Sequence, residues 1–588
     1  MLIVIATILS FSFNLTGTGS ATVFAHSRLN TYDPAQDNTA VTTYHNDNLR
    51  TGQNLSETKL TTANVNAQQF GKRVTYSVDG QVYAQPLFVP NVSIDGVSHN
   101  VVYVATENDS VYAFDADEKT NVTPLWQASF INPEAGVTPV PAGDVYQKYG
   151  NQDINPQIGI TGTPVIDRNT GTLYVVTMTK ENDQYVQRLH AIDISTGKDK
   201  QNPTEIEASL PGTGYNNVNG VVSFNARAHN QRSALLLSNG IVYITWAGFG
   251  DTDVFDGKLL GYHGWVMGYD VASFKQVSVY NDTLNASSNN TDSSNNDTNG
   301  SEGGIWMSGA GLAADAGGNI YATTGNGSYD LNIGGDSAGD SFIKLDGGLK
   351  LNDYFTPFNQ SCLDGRDEDL GSGGSLLLPD QPGEHPHLLL GEGKEGRVYL
   401  IDRDNMGKFT ENPNLQCGTD EEGRLGIDKV VQETPPQTTG SLFGTASYWA
   451  GAANSGSFVY IGGFSDALKS FQIANGLLSP TSIAQTPETF TFSGATPSIS
   501  SNGDTSGTGI VWLNSSSSCG YAGCTPTGPG ALRAYDATDV SHELYNSEEN
   551  SGRDRVDSYV KFSVPTVANG LVFVGTNNSL NIYGLLDS

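Results

Sequence analysis

The 588-residue chain is short of cations. It carries 30 Lys and Arg against 62 Asp and Glu, a formal net charge of −32. No cluster of Lys and Arg is present to meet phosphates, so neither nucleic acid nor an anionic membrane surface is an expected partner. The acidity reads as the self-repelling surface of a soluble exported protein. Cysteine is also scarce, at four residues. There is no Cys-x-x-Cys-His, so no covalent haem is expected on this chain, and no tetrahedral zinc pattern occurs. An even cysteine count fits an oxidising compartment. Cys519 and Cys524 flank a glycine-rich turn and are expected to bridge locally, leaving Cys362 with Cys417 across an insertion. Four cysteines admit three connectivities, and sequence alone does not choose among them.

Long apolar runs are missing as well. The one candidate, Leu2 to Phe13, is too short for a stable membrane anchor. Val23-Phe24-Ala25 follows it as a signal-peptidase site, although no Lys or Arg precedes the run. Residues 1–25 are therefore expected to be a signal peptide. The mature chain, starting near His26, is expected to be secreted or periplasmic, with no transmembrane anchor. Amphipathic helical spacing is absent too. Period-2 runs of Val, Ile, Tyr and Thr, bounded by Gly, Asn and Asp, dominate instead, and Gly alone counts 68.

Those runs repeat. A hydrophobic strand, a tight break and a second strand ending in an apolar residue and Asp recur down the chain. Val101-Val-Tyr-Val-Ala-Thr106 leads to Val111-Tyr-Ala-Phe-Asp115, and Leu173-Tyr-Val-Val-Thr177 leads to Leu189-His-Ala-Ile-Asp193. Further copies end at Asp270, Asp346, Asp402, Gln472, Asp536 and Tyr583. The spacing runs from 78 residues (Asp115 to Asp193) down to 47 (Asp536 to Tyr583). Such a unit cannot bury its own faces, so the eight copies must stack. The last copy is short, and Phe70 to Val78 reads as an isolated strand ahead of the first. Pairing the two closes a ring and removes its free edges. The expected fold is all-β, an eight-bladed β-propeller over residues 70–588. Residues 26–69 form a leader and an ordered arm containing Tyr44-His-Asn-Asp-Asn-Leu-Arg-Thr-Gly-Gln-Asn54. Inner strands are marked by Gln85-Pro86, Thr163-Pro164, Thr496-Pro497 and Pro565. Asn285 to Ser301 is a polar surface loop, and sequons at Asn281 and Asn296 matter only in a glycosylating host.

Four segments carry a resemblance. Gly304-Ile305-Trp306, then Ile320-Tyr-Ala-Thr-Thr-Gly-Asn326-Gly, then Gly335-Asp336-Ser-Ala-Gly-Asp340-Ser-Phe-Ile-Lys-Leu-Asp346, and last Gly393-Lys394-Glu-Gly-Arg-Val-Tyr-Leu-Ile-Asp402-Arg403 resemble, in this order, segments of the eight-bladed quinoprotein dehydrogenases. Those proteins hold pyrroloquinoline quinone (PQQ) and Ca²⁺ near the axis. The resemblance implies Trp306 as the floor under the quinone and Asn326 as a Ca²⁺ ligand. It implies Asp336 as catalytic base at the metal, with Asp340 as second choice, and Lys394 as a cofactor contact. The chemistry is coherent. A planar quinone needs a flat aromatic face, Ca²⁺ takes oxygen ligands and polarises a carbonyl, and a carboxylate can take the alcohol proton.

Two family features are missing. There is no adjacent Cys-Cys pair to cover the second face, and Leu259 stands where the metal-binding Glu is expected, with Asp251 or Asp253 as substitutes. The expected function is therefore a PQQ/Ca²⁺-dependent dehydrogenase of an alcohol or sugar, passing electrons to a separate acceptor. The alternative is a non-catalytic propeller that binds a protein or glycan.

Overall fold

Central strands of the repeats are buried along their whole length, as in Val101–Thr106 and Val398–Ile401. A strand covered on both faces needs no polar alternation, which explains the continuous apolar runs. The computed structural model describes residues 39–146, 153–250, 254–255, 258–259, 261–286, 302–516 and 528–587. Among them, eight antiparallel sheets follow one another along the chain. Blade 1 is built on Leu87–Ile94, Val97–Thr106, Ser110–Asp115 and Trp126–Ser129. Blade 2 is built on Val165–Asp167, Thr172–Glu181, Gln184–Asp193 and Thr204–Glu205, and blade 3 on Leu236–Ser238, Ile241–Gly248, Trp265–Asp270 and Gln276–Asn281. Blades 4 to 7 start at Ala313–Ala314, Leu376–Leu377, Ser447–Trp449 and Ser498–Ser500. Blade 8 holds Thr566–Ala568, Leu571–Gly575 and Ser579–Leu585, and its outer strand is Phe70–Ser77, paired antiparallel with Ser579–Leu585.

Eight apolar clusters fill the gaps between neighbouring blades. One joins Leu87, Val101 and Val111 of blade 1 to Ile166, Leu173 and Ile192 of blade 2. The cluster at the closure joins Phe573 and Ile582 of blade 8 to Phe88 and Phe114 of blade 1. There Tyr76 stacks on Phe114 at 4.4 Å and Phe88 on Phe573 at 5.7 Å between centroids. The repeat signature also acts between blades. The Trp126 indole of blade 1 donates to the Ile194 carbonyl at 3.0 Å and lies against Gly197, where a Cβ would come within 2.5 Å of the ring. Gly197, at φ +71°, thus lets one blade dock on the next.

The arm threads the ring. Val41 pairs with Phe88 of blade 1, and the Thr42 carbonyl accepts from Ile166 N of blade 2. The Asn48 side chain donates to Leu237 O of blade 3. The carbonyls of Asn48, Leu49, Thr51 and Gly52 accept from Ala314, Leu377, Tyr448 and Ile499 of blades 4, 5, 6 and 7 in turn. Asn54 Nδ2 donates to Val567 O of blade 8. The fourteen arm residues from Val41 to Asn54 thus bond, in order, to the inner strand of every blade.

The structure contains the Cys362–Cys417 disulfide. Cys519 and Cys524, Asp251 and Asp253, the signal region 1–25 and the loop after Ala286 lie outside the described residues. No helix among the described residues is long and apolar enough to cross a membrane.

Candidate functional site

One end of the axis opens into a cavity of about 480 Å³, lined from blades 2 to 8. Its volume is that of a typical small-molecule site. Trp306 and Lys394 both line it, although 88 residues separate them. Behind Trp306 the chain turns sharply through Met307 and Ser308, both left-handed at φ 41° and 50°. Ser233 Oγ donates to the carbonyls of Ile305 and Trp306, which fixes that turn. The indole is half-buried and packs with Phe443, Phe464, Phe492 and Phe562, an aromatic wall from blades 6 to 8.

Opposite that wall lies an acidic edge. Lys394 Nζ meets Asp369 Oδ2 at 2.5 Å and Asp367 Oδ1 at 2.8 Å. Asn326 bridges the same two residues. Its N–H donates to Asp369 Oδ1 at 2.9 Å and its Nδ2 to Asp367 Oδ1 at 3.0 Å. Asn326 Oδ1 is buried without a hydrogen-bond partner. The Asp369 side chain is 8% exposed and that of Asp367 54%. Asp367 is held left-handed at φ 56°, a conformation of the kind that clusters at functional sites.

The structure thus places Trp306 and Lys394 at the cavity and joins Asn326 to Lys394 through Asp367 and Asp369. Asp336 is not at the cavity. The segment between Thr323 and Phe342 is a long turn, pinched by the Tyr329–Ala338 bridge, and Asp336 lies within the pinched part. There its carboxylate accepts from Asn285 N and Nδ2 at 3.3 and 2.6 Å. Its spacing to Asp346 matches the resemblance, but its carboxylate is engaged by Asn285 and is not among the residues lining the cavity. Asp340 is fully buried behind the site. Oδ1 accepts from Leu370 N at 3.0 Å, which sets the backbone just after Asp369. Burial, then the charges of Asp369 and Asp364, push its carboxyl well above the usual range.

Two buried cations complete the lining. Lys561 Nζ pairs with Asp153 at 2.9 Å, and burial lowers its pKa. Arg232 is 5% exposed, and burial lowers its pKa as well. Sequence reading missed Asp367, Asp369, Arg232 and Lys561. A signal for Arg232 exists: it stands at the head of an apolar inner strand, Arg232-Ser-Ala-Leu-Leu-Leu237, where other blades carry Thr-Pro or Gln-Pro. Asp367-Glu-Asp369 is an acidic triplet ahead of a glycine-rich turn.

The described residues form a closed ring of eight β-blades with an axial cavity lined by aromatic and acidic side chains. Solved structures share this fold. The quinohemoprotein alcohol dehydrogenase ADHIIG from Pseudomonas putida HK5 matches with TM-score 0.57 and 15% identity, over 94% of this chain and 82% of that one. A quinohemoprotein alcohol dehydrogenase from Comamonas testosteroni gives 0.54 and 13%, over 93% and 80%. A europium-containing methanol dehydrogenase gives 0.56 and 13%, over 94% and 99%. No family model matches the sequence, and no match is found among curated proteins. At these identities the likeness is one of fold.

Proposed function

We propose that this chain is an exported, PQQ- and metal-dependent dehydrogenase that oxidises an alcohol or sugar and passes the electrons to a separate acceptor. One observation carries the reading. A tryptophan face, an oxygen-donor cluster and buried cations line a single axial cavity of about 480 Å³. The residues suit both groups. Asn326 Oδ1 is an orphaned buried acceptor beside two carboxylates, an all-oxygen set that favours a hard cation. Trp306, packed beside the Phe443 and Phe492 cluster, offers a flat face to a planar ring.

When bound, the quinone supplies a two-electron acceptor and the metal a Lewis acid. The chain's residues do the rest. Asp369, braced by Asn326 N–H, by Lys394 and through Leu370 by Asp340, is a fixed oxygen donor. Asp367 lies at the cavity mouth, open enough to meet a substrate hydroxyl and return a proton to solvent, so it serves as the base. Lys394 now neutralises both carboxylates and must yield part of that contact when a cation enters. Asp336 has no part in this scheme.

The test is titration of the purified chain with PQQ, with Ca²⁺ or, given the europium-containing neighbour, Eu³⁺, followed by absorbance and dye-linked turnover over an alcohol panel. Saturable absorbance with turnover is expected. Absence of both with every metal overturns the reading and leaves a ligand-binding propeller.

A further inference from the structure

Arg232 is a buried guanidinium with no anion beside it. Its Nη2 has no hydrogen-bond partner, and among the described residues no carboxylate forms an ion pair with it. Glu107 and Asp153 act on it only at a distance, and Asp153 is already paired with Lys561. A buried charge is ordinarily paired, because leaving water is costly. Arg232 also lines the cavity. The Tyr83 and Phe562 rings lie 5.0 and 4.8 Å from its central carbon, so aromatic faces rather than carboxylates meet the guanidinium, and its buried Nη2 is left without an acceptor. Lys561, 3% exposed, lies 5.4 Å from the same Phe562 ring and adds a second positive charge to this side of the cavity.

We propose that Arg232 is the carboxylate anchor of the cavity, with Lys561 as its auxiliary, so that the bound ligand is a planar molecule presenting a carboxylate to the edge of the guanidinium. The fork of Arg232 and the plane of Trp306 would then fix both the direction and the tilt of that ligand. The inference deepens the dehydrogenase reading by naming the group that orients the ligand. The carboxylate can come from two sources, the quinone cofactor, itself a tricarboxylate, or a hydroxy-acid substrate.

The experiment measures affinity rather than turnover. The intact chain is titrated, following tryptophan fluorescence, with a redox-inert quinoline dicarboxylate and with its dimethyl ester, then with PQQ. The acid is expected to bind roughly ten- to a hundredfold more tightly than the ester, the range for a hydrogen bond to a charged group. Arg232→Met should abolish that preference and Arg232→Lys restore part of it, because an ammonium keeps the charge and loses the fork. A matching fall in PQQ affinity in Arg232→Met assigns the carboxylate to the cofactor. Unchanged PQQ affinity, with loss of a preference for a hydroxy acid over its neutral alcohol, assigns it to the substrate. Equal binding of acid and ester by the intact chain, or an acid preference that survives Arg232→Met, overturns the proposal. The intact-chain comparison stands even where the variant fails to fold. An Arg232-dependent preference in a chain that shows no PQQ turnover keeps the anchor and removes the dehydrogenase reading.

Discussion

Asp336 and Asp369 show what a residue's position in sequence does and does not say. Asp336 has the spacing of the resemblance but is bonded to Asn285 and does not line the cavity. Asp369 sits in no segment that the resemblance covered, yet it holds Lys394 and Asn326. The substitutions Asp336→Asn, Asp367→Asn and Asp369→Asn separate the two assignments. The first should leave metal binding and turnover of the reconstituted protein unchanged. Asp367→Asn should keep metal binding and lower kcat by roughly a hundredfold or more, the usual worth of a positioned base. Asp369→Asn should weaken metal binding, read by titration with Ca²⁺ or Eu³⁺. A turnover loss confined to Asp336→Asn would restore the first assignment.

Titration at single residues also sets how stability depends on pH. Burial pushes Glu107 up to about 7 and Glu392 up to about 8, from 4.5. Between 4.5 and those values the folded chain holds protons that the unfolded chain has released. The stabilisation from these groups is complete below pH 4.5 and is lost as pH rises through 7 and 8. The buried imidazoles of His45 and His263 act the other way. Burial lowers each from 6.5 to about 4, so their contribution is present above 6.5 and lost as pH falls toward 4. Urea denaturation across pH 5 to 9 should therefore show a decline toward the alkaline side that flattens in Glu107→Gln and Glu392→Gln, each by on the order of 1–3 kcal/mol. An unchanged slope in both variants would show that these carboxyls ionise normally.

At the scale of elements, the arm and the strands differ in how far sequence exposes them. The strands were readable because burial on both faces writes one pattern, an apolar run recurring eight times and closing in Asp in six of them. The arm was readable as ordered, but not its path. Its bonds go mostly through backbone carbonyls, which any residue supplies. Side chains contribute at Asn48, Asn54 and, most heavily, Arg50. Fully buried, it donates to the Leu312 carbonyl of blade 4 at 2.8 Å and, within the arm, to Thr43 Oγ1 and Tyr44 O at 2.7 and 2.8 Å. Arg50→Met would leave these acceptors buried and unpaired, at a cost of about 1–3 kcal/mol each if they stay dry. The expected result is a lower urea midpoint with the blades still formed by circular dichroism. A variant as stable as the parent would show that the arm rests on the ring without supporting it.

The whole molecule is what makes the site, and the reason little of it could be read residue by residue. Arg232 and Lys561 lie 329 positions apart in sequence, and only the closed ring brings both to one cavity. Closure rests on Phe70–Ser77, the strand placed before blade 1 and paired into blade 8. Lys561 and Phe562 enter blade 8 just ahead of its inner strand, so this closure also positions part of the cavity wall. Tyr76 concentrates the contact. It is fully buried, stacks on Phe114 of blade 1 and donates through its hydroxyl to Asp115 O at 2.8 Å. Tyr76→Ala should cost about 3–5 kcal/mol, and deleting residues 70–77 should leave Ser579–Leu585 as an open sheet edge that aggregates. Because the cavity spans the seam, Tyr76→Ala should also weaken ligand binding near Arg232 and Phe562, although Tyr76 is not among the residues lining that cavity. Quinoline dicarboxylate affinity and the urea midpoint, measured on the same variant, decide this. A loss of stability without loss of affinity would mean that blade 8 keeps its place without its outer strand being locked to blade 1.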